Sequence, residues 1–211
     1  GLTAVCMAKP LAHTPGSSMH IHQSIVEIDT GTNVFSDKAG EPTPIFRHFI
    51  AGQQAGMADF TALFAPNVNS YQRLCHPFAS PNNACWSHDN RAAGLRIPAS
   101  SPVARRVENR LPGADANPYL AIAASLAAGL YGIENTLEPS EPIQGEFEVP
   151  ENLSLPCTLH AALERLKRSQ LAKELFGTEF IEGYIASKSM ELTSFYDEIT
   201  PWERRVLAAQ A

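Results

Sequence analysis

Two short runs place reactive side chains at a spacing that would let them act together. "GSSMHIHQS" sets His20, His22 and Ser24 two residues apart, and "RRVENRL" does the same for Arg106, Glu108 and Arg110. In an extended strand, residues two apart share a face. One run would then show two imidazoles and a hydroxyl opposite Ile21 and Ile25; the other would show a plus-minus-plus row opposite Val107 and Leu111. Two histidines at this spacing can reach one divalent ion, or one phosphate and one ion. Such a charged row on a core strand is costly to bury unless a substrate or metal shares the charge. The plainer alternative is a strand that neutralises itself by internal ion pairs.

The surrounding sequence favours an external anion. No lysine occurs between Lys38 and Lys167, yet Arg73, Arg91, Arg96, Arg105, Arg106 and Arg110 fall between Asn67 and Pro112, where only Asp89 and Glu108 oppose them. Glu108 cannot balance Arg91, Arg96, Arg106 and Arg110 together. Guanidinium offers planar, bidentate contacts to carboxylate and phosphate that ammonium does not. "PGSS" before His20 adds backbone N–H groups that can approach an anion closely. Arg91 and Arg96, five apart in "DNRAAGLRIP", point to opposite faces of an unbroken strand. Either Gly94 marks a bulge that restores a common direction, or Arg91 lies in the turn before the strand.

These side chains need a sheet to hold them. "LTAVCMAK" and "MHIHQSIVEI" read as strands between turn-rich segments, "GTNVFSDKAGEP" as a small surface hairpin, and "NACWSHD", "AGLRIP" and "RRVENRL" as further strands. Thr43 and Pro44 open a helix that should end near Pro66. A second helix starts at "DANPYLAIAASLAAGLYGIENTL", capped by Asp115 or Asn117. It is apolar nearly all round and is expected to be buried. After a Pro- and Glu-rich loop, three amphipathic helices should fill 158–211. The order predicts an α+β fold with a partial antiparallel sheet or half-barrel: one catalytic-type domain over 1–211, strand-rich to about 139, with a helical tail from about 158.

At 211 residues, 44% hydrophobic and 18% charged, the chain is ordinary globular protein. A net charge of −6 argues against nucleic acid as a partner, as does arginine without lysine on apolar strands. No segment has transmembrane length, and no membrane partner is expected. Cys6, Cys75, Cys85 and Cys157 form no C-x-x-C pair and read as reduced core residues of a cytoplasmic protein. The opening "GLTAVCMAKP" reads as mid-strand, which suggests a fragment.

"PGSSMHIHQS", "NVNSYQRL", "DNRAAGLRIP" and "RRVENRLPGADANPYLAIAASLAAGLYGIEN" resemble, in that order and at similar spacings, the C-terminal catalytic half of the glutamine synthetase family. The resemblance runs to about Pro139 and continues more loosely through the tail. It implies ATP-dependent ligation: glutamate's γ-carboxylate is phosphorylated, and an amine attacks the γ-glutamyl phosphate. By matching positions, His20 and Glu108 would hold Mg²⁺ or Mn²⁺. His22, Ser24, Arg96 and Arg106 would lie at the ATP phosphates. Gly16, Arg73, Arg91 and Arg110 would contact glutamate, with Arg91 and Arg110 also at the transferring phosphoryl group. Family members assemble as rings with sites between neighbouring subunits, so a homo-oligomer is implied for the full-length protein.

Departures from the family pattern point to the amine. Ala79 in "HPFASPNN" stands where glutamine synthetases proper carry a glutamate that helps bind ammonium. "TPGSS" replaces the usual Asn-Gly-Ser-Gly loop, with Pro15 and Ser18 at substrate-loop positions; Val103 stands for a common lysine, and Ser154 for the adenylylated tyrosine of bacterial enzymes. The sequence is most similar to the γ-glutamylputrescine or γ-glutamylpolyamine synthetase branch, where the nucleophile is an organic amine. An ammonia-using glutamine synthetase is the alternative, and a non-catalytic relative the second. Family members are about twice as long, so the 211 residues alone are expected to be inactive.

Overall fold

The structure, a computed structural model, describes residues 1–75 and 80–210. Four three-residue strands form one open sheet: β1 (Ile21–Gln23), β2 (Trp86–His88), β3 (Leu95–Ile97) and β4 (Val107–Asn109), in the order β1-β4-β3-β2. The pairs β1–β4 and β4–β3 are antiparallel, and β2–β3 is parallel. With helices after and between the strands, the α+β expectation holds.

The strands are shorter than the sequence patterns suggested. Leu2–Lys9 is not a strand, because no described segment runs beside it to complete a ladder, and residues 2–7 are exposed. The run 19–28 narrows to β1, with isolated bridges Ser18–Gly113 and Val26–Asn33 on either side. That second bridge and Ser36–Pro42 account for the surface hairpin. At the far edge of the sheet, the Ile143 N–H donates to the Trp86 carbonyl and Ser87 Oγ donates to the Ile143 carbonyl at 2.6 Å, so β2 is covered. Among the described residues, β1 pairs with β4 alone.

One face of the sheet rests on two helices. Helix α1 (Pro44–Met57) starts where Thr43 Oγ1 accepts from the Phe46 N–H and Pro44 occupies the first turn. The continuation to Pro66 is interrupted at Ala58–Phe60 before the short α2 (Thr61–Phe64), where the Asp59 carboxylate accepts bonds from Arg165 and Ser169 of the tail. The sequence reading missed α3 (Val68–Leu74), although Asn67 and Ser70 form a capping box that announces it. Asn117 caps α4 (Pro118–Glu134) by accepting from the Tyr119 and Leu120 N–H groups.

Helices α1 and α4 touch backbone to backbone. A Cβ on Gly52 would lie 2.1 Å from the Ala128 carbonyl oxygen, and one on Gly132 would lie 2.1 Å from the His48 carbonyl oxygen. Phe35, Phe46 and Phe49 fill the space beside this contact with ring centroids 5.2–5.3 Å apart. A buried polar tie fastens the helix pair to the sheet: Gln53 Nε2 and Ser125 Oγ both donate to Gln23 Oε1, and Asn109 Nδ2 donates to Ser125 Oγ.

Helix α4 is not buried all round. Tyr119 is 84% exposed, and Ile122, Leu126 and Leu130 follow it on an open face, because α1 covers only the side carrying the small residues. Among the described residues the tail holds four α-helices, not three: α5 (Leu159–Arg168), α6 (Gln170–Phe176), α7 (Thr178–Tyr196) and α8 (Pro201–Leu207). Ser169 ends α5 and caps α6 through the Ala172 N–H, which splits one apolar-periodic run into two helices. The expected core cysteines are also corrected. Only Cys85 is buried, while Cys6, Cys75 and Cys157 sit in exposed loops or at element ends.

Because the α1–α4 contact leaves no room for a methyl group, Gly52→Ala is expected to destabilise the fold by about 1–3 kcal/mol through forced separation of the backbones. Urea unfolding followed by circular dichroism measures this, with the solvent-facing Gly183→Ala of α7, expected to stabilise by about 0.5–1 kcal/mol through helix propensity alone, as the comparison.

Candidate active site

The face of the sheet opposite the helices carries one cross-strand row. His22 pairs with Glu108, Glu108 with Arg96, and Arg96 with Ser87, on β1, β4, β3 and β2 respectively. His20 and Arg110 extend the row by two residues along their strands. Strand alternation therefore does what the sequence implied: Val107, Asn109 and Leu111 go inward, and Glu108 and Arg110 face the other way.

Glu108 is the centre, with only 3% of its side chain exposed. Its Oε1 accepts from Arg110 at 2.8 Å and lies 2.9 Å from His20 Nδ1; its Oε2 accepts from Arg96 at 2.6 Å. Burial pushes the Glu108 pKa up, but the Arg96 hydrogen bond and the Arg110 charge outweigh it and hold the carboxyl below its ordinary value. His20 is shifted down, first by burial and then by Arg110, so its ring stays neutral at pH 7 and keeps a lone pair for a ligand. His22 is more distant, 3.9 Å from Oε1, and its Nδ1 accepts from Arg106 Nε at 3.2 Å. Arg96 is clamped between Glu108 and Asp89. Asp89 takes a positive φ of 50°, which short acidic side chains tolerate better than most.

Arg73 approaches from α3. It is buried, donates to Ser18 Oγ at 2.9 Å and to the Leu111 carbonyl, and burial pulls its pKa down to about 10, so it remains cationic. A Cβ on Gly16 would sit 2.5 Å from Arg73 Cγ and 2.5 Å from the Ala8 carbonyl oxygen, so the "PGSS" loop needs glycine there to lie against the arginine. Asn69 fixes the same loop by exchanging hydrogen bonds with the Lys9 backbone, 2.8 and 2.9 Å. Asp115, whose role the sequence reading did not foresee, anchors the start of α3 by accepting from Asn67 Nδ2 and Ser70 Oγ. The Asn67–Ser70 cap was its only signal.

The structure thus brings together His20, His22, Glu108, Arg96, Arg106 and Arg110, with Arg73, Gly16 and Ser18 beside them. Arg91 stands apart, exposed in the turn before β3, which decides between the two readings of "DNRAAGLRIP". Ser24 lies past the end of β1 and is exposed. Ala79 lies outside the described residues.

The arrangement has more positive charge than it consumes. Arg73, Arg96, Arg106 and Arg110 outnumber Glu108 and Asp89, and the Nε groups of Arg73, Arg96 and Arg110 are buried without a hydrogen-bond partner. This surplus of positive charge, beside the partly exposed His20 and His22, suits a polyanion. A neutral imidazole and a carboxylate 2.9 Å apart also suit a divalent cation as two of its ligands. Among the described residues, no group of three His, Cys, Asp or Glu side chains is placed to hold one.

The family described as "Glutamine synthetase, catalytic domain" matches residues 1–207. Glutamate–isopropylamine ligase from Pseudomonas sp is 40% identical over 208 residues, covering 96% of this chain and 45% of that protein. Gamma-glutamylputrescine synthetase PuuA from Escherichia coli is 40% identical, covering 95% and 42%. Type-1 glutamine synthetase 2 from Dictyostelium discoideum is 39% identical, covering 96% and 40%. The chain spans about half the length of the curated relatives it matches.

Glu108→Ala leaves Arg96 and Arg110 without their shared counter-ion and is expected to cost about 3–5 kcal/mol of stability. Arg106→Ala, at a more solvated contact, should cost under about 0.5 kcal/mol. Denaturant midpoints of the two variants check the contrast; similar small losses would mean that Glu108 does not organise the site.

Proposed function

Because the chain belongs to the glutamine synthetase catalytic-domain family, we propose that it supplies the glutamate- and phosphate-binding half of an ATP-dependent glutamate–amine ligase. The observation that carries this reading is the convergence of His20 and the Arg96 and Arg110 guanidiniums on the buried Glu108 carboxylate.

In this reading His20 and Glu108 hold Mg²⁺ or Mn²⁺, which when bound would neutralise phosphate charge. Arg96, Arg106, His22 and Ser24 face the ATP phosphates. Gly16, Arg73 and Arg110 orient glutamate, and Arg91 reaches the transferring phosphoryl group from its exposed turn. The γ-carboxylate oxygen attacks the γ-phosphorus, and ADP leaves. The amine then attacks the acyl carbon, loses a proton and expels phosphate. Little covalent work falls to the protein: the guanidiniums hold the reacting groups in line and offset charge spread over the phosphoryl oxygens.

The acceptor in this proposal is an organic amine, such as a polyamine. Ala79 in place of a carboxylate removes a partner for ammonium, and two of the similar proteins above are named for isopropylamine and putrescine. Ammonia is the second reading, favoured by the likeness to Type-1 glutamine synthetase 2. Assembly into a ring and a cytoplasmic location belong to the same proposal. No helix among the described residues is long and apolar enough to cross a membrane.

The assay is made on a chain extended to the length of the curated relatives, since this chain spans about half of it. Phosphate release with ATP, Mg²⁺ and glutamate is expected to be at least tenfold faster with putrescine, ethanolamine or isopropylamine than with ammonium. His20→Ala is expected to lower it by about 100-fold or more. Preference for ammonium would transfer the assignment to glutamine synthetase, and amine-independent inactivity with intact folding would reject ligation.

A further inference from the structure

Two cysteines far apart in sequence meet outside the ligase site. Cys75 closes α3 and Cys157 immediately precedes Thr158, the residue that caps α5. The Cys75 thiol lies 3.5 Å from the Cys157 carbonyl oxygen across 82 residues of chain. One amide nitrogen touches both sulfurs: Asn82 Nδ2 is 3.0 Å from Cys157 Sγ and 3.7 Å from Cys75 Sγ. Both residues are exposed. They also share the wall of a cavity of about 190 Å³ with Tyr71, Gln72, Leu192 and Tyr196, so both side chains face the same space.

We propose that Cys75 and Cys157 form a reversible intramolecular disulfide that joins the end of α3 to the start of α5. The contacts of Cys75 and Cys157 are distinct from the hydrogen bonds and ion pair that hold Glu108, so the bond is a modification site outside that cluster. The two sulfurs are chemically unequal. Burial of its sulfur, followed by the hydrogen bond and charge of Cys157, pushes the Cys75 pKa up to about 12, so Cys75 is a protonated thiol at neutral pH. The Asn82 amide donates to Cys157 Sγ at 3.0 Å, a contact that favours the thiolate form there and places Cys157 to attack first.

With a small-molecule disulfide as oxidant, the Cys157 thiolate attacks one of its sulfurs, a mixed disulfide forms and one small thiolate leaves. Cys75 then loses its proton and attacks the Cys157 sulfur, and the second small thiolate departs. Two protein thiols are oxidised and one small disulfide is reduced to two thiols. The crosslink would hold the helix that carries Arg73, two residues before Cys75, against the tail.

The test is incubation of the chain with oxidised glutathione, followed by peptide mapping without reductant. Free thiols are expected to fall from four to two. A peptide containing Cys75 should be linked to one containing Cys157, separable by dithiothreitol. The thermal midpoint of the oxidised chain should rise by several degrees, on the order expected for closing a long loop. Cys6→Ser should leave the link intact, and Cys75→Ser should trap a glutathione adduct on Cys157. Persistent single adducts on the unsubstituted chain, links that include Cys6 or Cys85, or bonds only between separate chains would overturn the pairing. An adduct trapped on Cys75 in Cys157→Ser, with none on Cys157 in Cys75→Ser, would overturn the order of attack.

Discussion

A carboxylate withdrawn from water must be surrounded by donors, and Glu108 meets that requirement with Arg96, Arg110 and His20. Its place on β4, an interior strand, makes the demand unavoidable, since neighbours on both sides must present cations. β3 supplies Arg96, β1 supplies the histidines, and β4 supplies Arg110 two residues further on. Around one negative charge the protein thus collects guanidiniums that exceed local need, three of them with a buried Nε that the cluster does not satisfy. The carboxylate both recruits the cations and keeps them from repelling one another.

The alternate spacing in "MHIHQ" and "RRVENRL" was enough to foresee this face, because strand geometry converts period two into a shared direction whatever the length of the strand. That the strands shrink to three residues did not matter, since the reactive side chains cluster at the paired centre. Arg91 was not resolved by the same reasoning, for a strand boundary depends on where pairing stops and not on the residues themselves. Asp115 was read only as a possible cap of α4, a place Asn117 takes, because its actual work is done at long range: it holds α3 from 45 and 48 residues away. Helix α3 itself could have been read from Asn67 and Ser70.

Helix α4 shows the limit of composition as a guide to burial. Its small residues face α1 so closely that the two backbones meet, whereas its larger side chains, Tyr119, Ile122, Leu126 and Leu130, look outward. An apolar count alone treats the two sides alike. The thiols offered a similar lesson, since an apolar neighbourhood in sequence around Cys75 and Cys157 became a surface crevice once α3 and α5 took their places.

The two borders of the sheet differ. Beyond β2, the segment at Ile143 occupies the main-chain groups and closes that side. Beyond β1, the outward N–H and C=O groups lack a ladder partner among the described residues. Lateral growth of the sheet can thus proceed in one direction only, and the first incoming strand would set its own alternate side chains next to His20 and His22. Extending the backbone ladder and adding side chains to the Glu108 face would be a single geometric event.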